Sequence, residues 1–469
     1  MVRYTVLIAE DAERPSYSLL QFTSTMLSDL WLRLSIFVTD RSRAAFLRGA
    51  GIVVFVLLVL LTIIAIPHSA SNVKTASPSE YAVIPSNFAD PCLLSVDGMF
   101  YAFATRPNPS LHVQVASAKD ISDWTLHEGY DAMPTLPKWA LQEGDAAVWA
   151  PEVVQRPDGN FVLYFSAASQ ANSRFHCVGT ATSPNVTGPY TPVEEPLTCP
   201  FDQGGAIDPT FIHDRRQNTS FVVYKNDGNA IGSGGACANR NWPNTPTSFQ
   251  FNIVDNEDYT TRIGNDSWNP LGNASWVLFS DESDGPNIES PQIFYRGDAM
   301  GRFAAAGDDS AYHLIYNAGC FADESYRIEH IVCRATQLNA VSTQWASYDA
   351  TYVPFFRDCR FAAMKPENYK SWGQSFLGLN DGVGNHFDLL LRTGIFRQPD
   401  GAGVQLYAPG GPAISQDGSY MAFHADISRD WFEGRSPDRI RALFVAELEY
   451  GRKGTGLRIK RLIKPTSKI

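Results

Sequence analysis

Phe161-Val162-Leu163-Tyr164 and Phe221-Val222-Val223-Tyr224 share one pattern: an aromatic residue, two apolar residues, and a closing aromatic. Working outward, the same pattern reads Phe100-Tyr101-Ala102-Phe103 upstream, then His313-Leu314-Ile315-Tyr316 and Tyr420-Met421-Ala422-Phe423 downstream. Turn dipeptides precede four of the five: Asp97-Gly98, Asp158-Gly159, Gln217-Asn218 and Asp417-Gly418. Short runs that are apolar on both faces suit strands buried between two layers. The closing aromatics lie 61 (103 to 164), 60 (164 to 224), 92 (224 to 316) and 107 (316 to 423) residues apart. The shorter steps approach the repeat of a four-stranded propeller blade, about 40–50 residues. The longer steps imply insertions over residues 230–286 and 351–412. Helical periodicity is scarce, and a pair of β-sandwiches gives no reason for a fivefold repeat. The predicted fold is all-β, a five-bladed β-propeller.

A second recurring element precedes these strands. Asp90-Pro91, Ile207-Asp208-Pro209 and Glu289-Ser290-Pro291 each place an acid at or beside the residue before a proline, and Trp149-Ala150-Pro151-Glu152 lies between the first two. Proline disfavours the helical conformation in the residue before it, so Asp208 is expected in extended backbone at a stiff strand entrance. In a propeller the innermost strand of each blade lines a central channel, which would bring Asp90, Asp208 and Glu289 to one funnel. An isolated Asp-Pro is more often a turn or strand cap than a catalyst. The ordered trio is what points to chemistry. Asp97, Asp158 and Asp417 read as turn residues.

Upstream of the repeat, residues 1–48 are mixed in charge. Residues 49–67 are apolar, and no charge occurs between Arg48 and Lys74. A membrane-spanning helix needs about 20 apolar residues, with a lower limit near 17. Arg41, Arg43 and Arg48 flank the N-terminal side, which orients residues 1–48 to the cytoplasm. The expectation is a single transmembrane signal anchor at 49–67, a stalk at 68–80, and a propeller at 81–469 held outside the cytoplasm. The alternative is a secretory signal cleaved near Ala70.

Four Asn-X-Ser/Thr sequons, at Asn185, Asn218, Asn265 and Asn273, lie beyond the anchor. There are seven cysteines and no CxxC pair. Export would permit disulfides, with Cys177–Cys199 and Cys320–Cys333 as the sequence-local pairs. The formal net charge of −11 argues against a nucleic-acid partner. The C-terminal Arg458, Lys460 and Arg461 alternate with Leu457, Ile459 and Leu462, as in a closing strand with one solvated face.

The ordered set resembles glycoside hydrolase family 43. It comprises Phe88-Ala89-Asp90-Pro91 with Phe100-Tyr101-Ala102-Phe103-Ala104-Thr105, Trp149-Ala150-Pro151-Glu152, Ile207-Asp208-Pro209-Thr210-Phe211, and Ile288-Glu289-Ser290-Pro291. Lys225-Asn226-Asp227-Gly228-Asn229 resembles fungal members. The resemblance covers about residues 81–450. It implies an inverting glycosidase acting on L-arabinofuranosyl or D-xylosyl linkages of plant polysaccharide, arabinan first and arabinoxylan or xylan next. Asp90 would be the general base and Glu289 the general acid. Asp208 would orient the acid and tune its pKa, and Trp149 would be a platform for a sugar ring. Many members carry a His in the last blade that organises a central calcium or water cluster. Here the stretch reads Pro409-Gly410-Gly411-Pro412, with His424 as the nearest substitute, and no metal is expected. A membrane-tethered carbohydrate-binding propeller without turnover is the alternative function. A retaining fructan-cleaving enzyme ranks lower, since its Arg-Asp-Pro and Glu-Cys motifs are here Ile-Asp-Pro and Glu-Ser.

Overall fold

In the computed structural model five sheets, antiparallel apart from one short parallel pairing, make up the described fold. The structure describes residues 75–107, 110–144, 146–215, 218–231, 237, 247–263, 275–280, 284–296, 311–333, 379–380, 386–450 and 456–466. The expected anchor, at 49–67, and residues 1–48 lie outside these residues. Among the described residues no helix is long and apolar enough to cross a membrane.

The inner strands of blades 1 to 5 are Cys92–Val96, Val148–Gln155, Ala206–Asp214, Ile288–Arg296 and Gly403–Ile414. Neighbouring inner strands touch all the way round, and blade 5 closes onto blade 1. The aromatic repeat falls on the second strand of every blade: Met99–Thr105, Phe161–Ala168, Thr219–Asn226, Ala311–Ala318 and Tyr420–Asp426. Each is central in its sheet, and its two faces pack against the neighbouring blades, which explains why both are apolar. Tyr164, Tyr224, Tyr316 and Phe423 are almost wholly buried between blades. Asp97 and Gly98 both have positive φ, 51° and 77°, as the two-residue primed turn requires.

The two long steps contain more than insertion. Residues 230–286 include the third and fourth strands of blade 3, Ser248–Val254 and Ser275–Phe279, while 351–412 includes His386–Arg392 of blade 4 and most of the inner strand of blade 5. The folded unit also takes in the end of the segment read as stalk. Thr75–Ala76 pairs in parallel with Gly403 and Val404. Val83 N–H then donates to Leu443 O (2.8 Å) and Phe88 N–H to Arg441 O (2.7 Å), so the N-terminal segment runs along blade 5 into blade 1. The C-terminal strand Leu457–Leu462 completes blade 5, with Arg458 paired to Glu449 and Arg461 to Glu447.

Cys177 and Cys199 form a disulfide, as the spacing predicts. The second expected pair is corrected, because Cys320 bonds to Cys237, 83 residues upstream, rather than to Cys333. Strand pairing decides this. Cys333 ends the third strand of blade 4, opposite Tyr312, while Cys320 sits past the far end of the second strand.

Candidate active site

The residue before proline at the head of each blade is not extended. Asp90, Ala150, Asp208, Ser290 and Ala408 all have positive φ, between 41° and 54°. The strand register slips at these points in blades 2 to 5, between Trp149 and Glu152, Ile207 and Thr210, Glu289 and Gln292, and Tyr407 and Gly410. Proline removes an amide and cannot continue a ladder, so the strand bulges, and the preceding residue takes the left-handed conformation at a cost of about 1–3 kcal/mol. The expectation of extended backbone at Asp208 is thereby corrected.

Each strained residue is caught by a side chain. The amide of Asp90 donates to His424 Nδ1 (3.0 Å), that of Ala150 to Thr105 Oγ1 (3.0 Å), and that of Asp208 to Ser166 Oγ (3.0 Å). Ser290 N–H donates to Asp208 Oδ2 (2.9 Å), and Ala408 N–H to Thr393 Oγ1 (2.9 Å). In the first four cases the acceptor belongs to the preceding blade in the ring.

The bulges turn the three acids into one cavity of about 360 Å³, lined by Asp90, Asp208, Glu289, Trp149, Lys225 and Arg441 among others. Asp90 receives Thr105 Oγ1–H at Oδ2 (2.7 Å) and has the Arg441 guanidinium 3.6 Å from Oδ1. Burial alone would favour its neutral form, but the cationic Arg441 and the Thr105 hydrogen bond outweigh burial and hold the carboxyl below its ordinary range. Asp208 goes the other way. Burial, and then the neighbouring Glu289, push it up to about 7. Glu289 accepts from Lys225 Nζ at Oε1 (2.9 Å) and from Tyr326 O–H at Oε2 (3.0 Å). Burial disfavours a charged Lys225, yet Glu289, Asp227 and Asp208 together outweigh it and raise its pKa, so the ammonium persists. Trp149 stacks one face on His176, with centroids 3.9 Å apart, and lines the cavity.

Between Pro409 and Pro412, Gly410 and Gly411 form a seam without side chains. A Cβ on Gly410 would lie 2.0 Å from Tyr326 Cε1, and one on Gly411 would lie 2.9 Å from Asp90 Cα. Asn317 fixes the seam by accepting Gly411 N–H at Oδ1 (2.8 Å). His424 is wholly buried, and burial drives its pKa down to about 3, so the ring is neutral. Its Nδ1 lone pair is taken by the Asp90 amide. Nε2 therefore carries the hydrogen and offers no lone pair to a cation. As placed, His424 does not fit a direct ligand of a central metal ion. Among the described residues no group of three His, Cys, Asp or Glu side chains is arranged to hold one.

Sequence reasoning singled out Asp90, Asp208, Glu289 and Trp149, and the structure brings all four to this cavity. It gave no role to Lys225, Tyr326, Thr105 or Arg441. Thr105 and Lys225 stood inside quoted motifs, but nothing local marks Tyr326 or Arg441.

The model of the glycosyl hydrolases family 43 matches residues 80–315. Among curated proteins, an extracellular endo-α-(1→5)-L-arabinanase of Thermotoga petrophila is 32% identical over 113 residues, 22% of this chain and 22% of that protein. A second such arabinanase, from Bacillus subtilis, is 25% identical over 113 residues, again 22% of each chain. The match thus spans about a fifth of the length of these curated relatives. A crystal structure of an endo-1,5-α-L-arabinanase from Thermotoga petrophila superposes with a TM-score of 0.50 at 18% identity, covering 84% of this chain and 77% of that one. At that identity the likeness concerns the fold alone.

Proposed function

The chain belongs to glycosyl hydrolases family 43, and on that premise we propose that it hydrolyses L-arabinofuranosyl or D-xylosyl linkages with inversion, arabinan being the first substrate. The observation that carries the reading is that three carboxylates from three blades line one cavity, in which Asp90 is held below and Asp208 pushed above the ordinary carboxylate range. Asp90, held ionised beside Arg441, removes a proton from water as it attacks the anomeric carbon. Glu289 gives a proton to the departing oxygen. Asp208 fixes the backbone beside Glu289 through the Ser290 amide and sets the local charge. Inversion asks for base and acid about 6.5–9.5 Å apart, with water between base and sugar. Trp149, backed by His176, offers its free face to a sugar ring. The choice of arabinan leans on the names of the two curated relatives, and xylan or arabinoxylan follows.

The same proposal places the propeller outside the cytoplasm, behind an anchor at 49–67 or after signal cleavage. Two disulfides and the exposed sequon residues Asn185 and Asn218 support it. The function is tested by assaying residues 75–469 against arabinan, arabinoxylan and aryl pentosides beside Glu289→Gln. Product from the wild type and loss on polysaccharide in the variant are expected. Binding without product, unchanged in the variant, would favour a carbohydrate-binding propeller.

A further inference from the structure

Each second strand carries, just after its closing aromatic, a side chain that reaches the next blade's inner strand. In blades 1 and 2 these are the hydroxyls of Thr105 and Ser166, two residues on, which take the Ala150 and Asp208 amides. In blades 3, 4 and 5 they are Lys225, Asn317 and His424, one residue on. Asn317 takes the Gly411 amide and His424 the Asp90 amide. Neutral groups therefore suffice to tie blade to blade at four of five positions. The exception is Lys225, whose partner is not an amide but the carboxylate of Glu289.

Resting on the hydrolase reading above, we propose that Lys225 is a positioning residue for Glu289 in its proton transfer to the leaving group. It fixes the carboxyl plane and supplies the positive charge that the departing proton leaves unbalanced. Lys225 is fully buried, with Nζ 2.9 Å from Glu289 Oε1 and 3.2 Å from Asp227 Oδ1. Tyr326, just before the third strand of Glu289's own blade, holds the other Glu289 oxygen (3.0 Å), so two donors from different blades fix the carboxyl. An ammonium is costly to bury, and a structural tie does not require one.

The chemistry gives it a use. As the C1–O bond breaks, its electron pair goes to the leaving oxygen, which takes the Glu289 proton. Water adds to C1 and yields its own proton to Asp90. Glu289 becomes an anion in a site that already holds Asp208 and Asp227, and the ammonium is in place before the charge develops, at no cost in reorganisation. General acid catalysis of this kind is worth about 10²–10⁴-fold when the leaving group is a poor one. A leaving group that departs without a proton needs none of it.

Leaving-group dependence is therefore the readout, measured for the wild type, Lys225→Met and Lys225→Arg on a pentosyl oligosaccharide and on the 2,4-dinitrophenyl pentoside. Lys225→Met is expected to lose about 100-fold in kcat/KM on the oligosaccharide and under about 10-fold on the dinitrophenyl substrate. Lys225→Arg keeps the charge and is expected to restore the wild-type ratio between the two substrates even if both rates fall. Equal losses on both substrates in Lys225→Met, or no loss on either, would overturn the proposal while leaving the hydrolase reading intact. Should Lys225→Met not fold, a Lys225→Arg ratio far from that of the wild type would overturn it. A wild type that cleaves neither substrate overturns both readings.

Discussion

Ser290 N–H donates to Asp208 Oδ2 across 2.9 Å, while the corresponding amides of blades 2 and 3 are caught by the hydroxyls of Thr105 and Ser166. At the blade that carries Glu289, a carboxylate takes over a tie that a hydroxyl makes elsewhere. Asp208 thus has a mechanical task and an electrostatic one, and the two are separable. Asparagine in its place keeps an oxygen for the Ser290 amide and loses the charge, whereas alanine loses both. Asp208→Asn is expected to melt within about 2 °C of the wild type and Asp208→Ala several degrees lower, since a buried amide without its partner costs about 1–3 kcal/mol. Both variants are expected to lose about 100-fold or more in turnover. Equal melting temperatures for the two variants would remove the mechanical role.

The bond from the Asp90 amide to His424 Nδ1 leads to a second expectation. With Nδ1 occupied and the ring neutral, His424 is not a cation ligand. Exhaustive dialysis against EDTA should leave both the turnover and the melting temperature unchanged, and added calcium should restore nothing. A loss on chelation that calcium reverses would contradict this assignment. His424→Ala should lower turnover, because it releases the amide that holds Asp90 in its left-handed conformation.

Glu152 gives a pH dependence of stability. It lines a separate cavity of about 560 Å³ with Thr210's neighbour Phe211 and with Gln292, and burial pushes its pKa up to about 8. The unfolded chain ionises this group near 4.5. The folded protein therefore binds the proton more tightly, so the contribution is fully present below about pH 4.5 and is lost as pH rises towards 8. Glutamine does not titrate and keeps an acceptor oxygen. Denaturant melts of Glu152→Gln and the wild type should agree near pH 4.5 and diverge by pH 8, with the variant the more stable. A constant difference across that range would contradict the shift.

The aromatic repeat was legible because burial on both faces favours apolar and aromatic residues over four consecutive positions of a second strand. The acids were legible because proline marks each bulge. The sign of φ at Asp208 was not, since the constraint from Pro209 disfavours helix without choosing between extended and left-handed backbone. Lys225 and Tyr326 were invisible in their roles because each acts far along the chain from Glu289: Lys225, across a blade boundary, is 64 residues away, and Tyr326, within the same blade, is 37. Cys237 reaches Cys320 over 83 residues for the same reason. The seam at Gly410 and Gly411 read as a missing histidine, whereas its content is the absence of any Cβ, which makes room for Tyr326 and Asp90.

The central claim is that Asp90 and Glu289 act from opposite sides of one glycosidic bond. Proton NMR of the first sugar released from an arabino- or xylo-oligosaccharide, recorded before mutarotation, tests it most directly. The predicted result is a product whose anomeric configuration is inverted relative to the bond cleaved. A first product with retained configuration would contradict the assignment of Asp90 as the base.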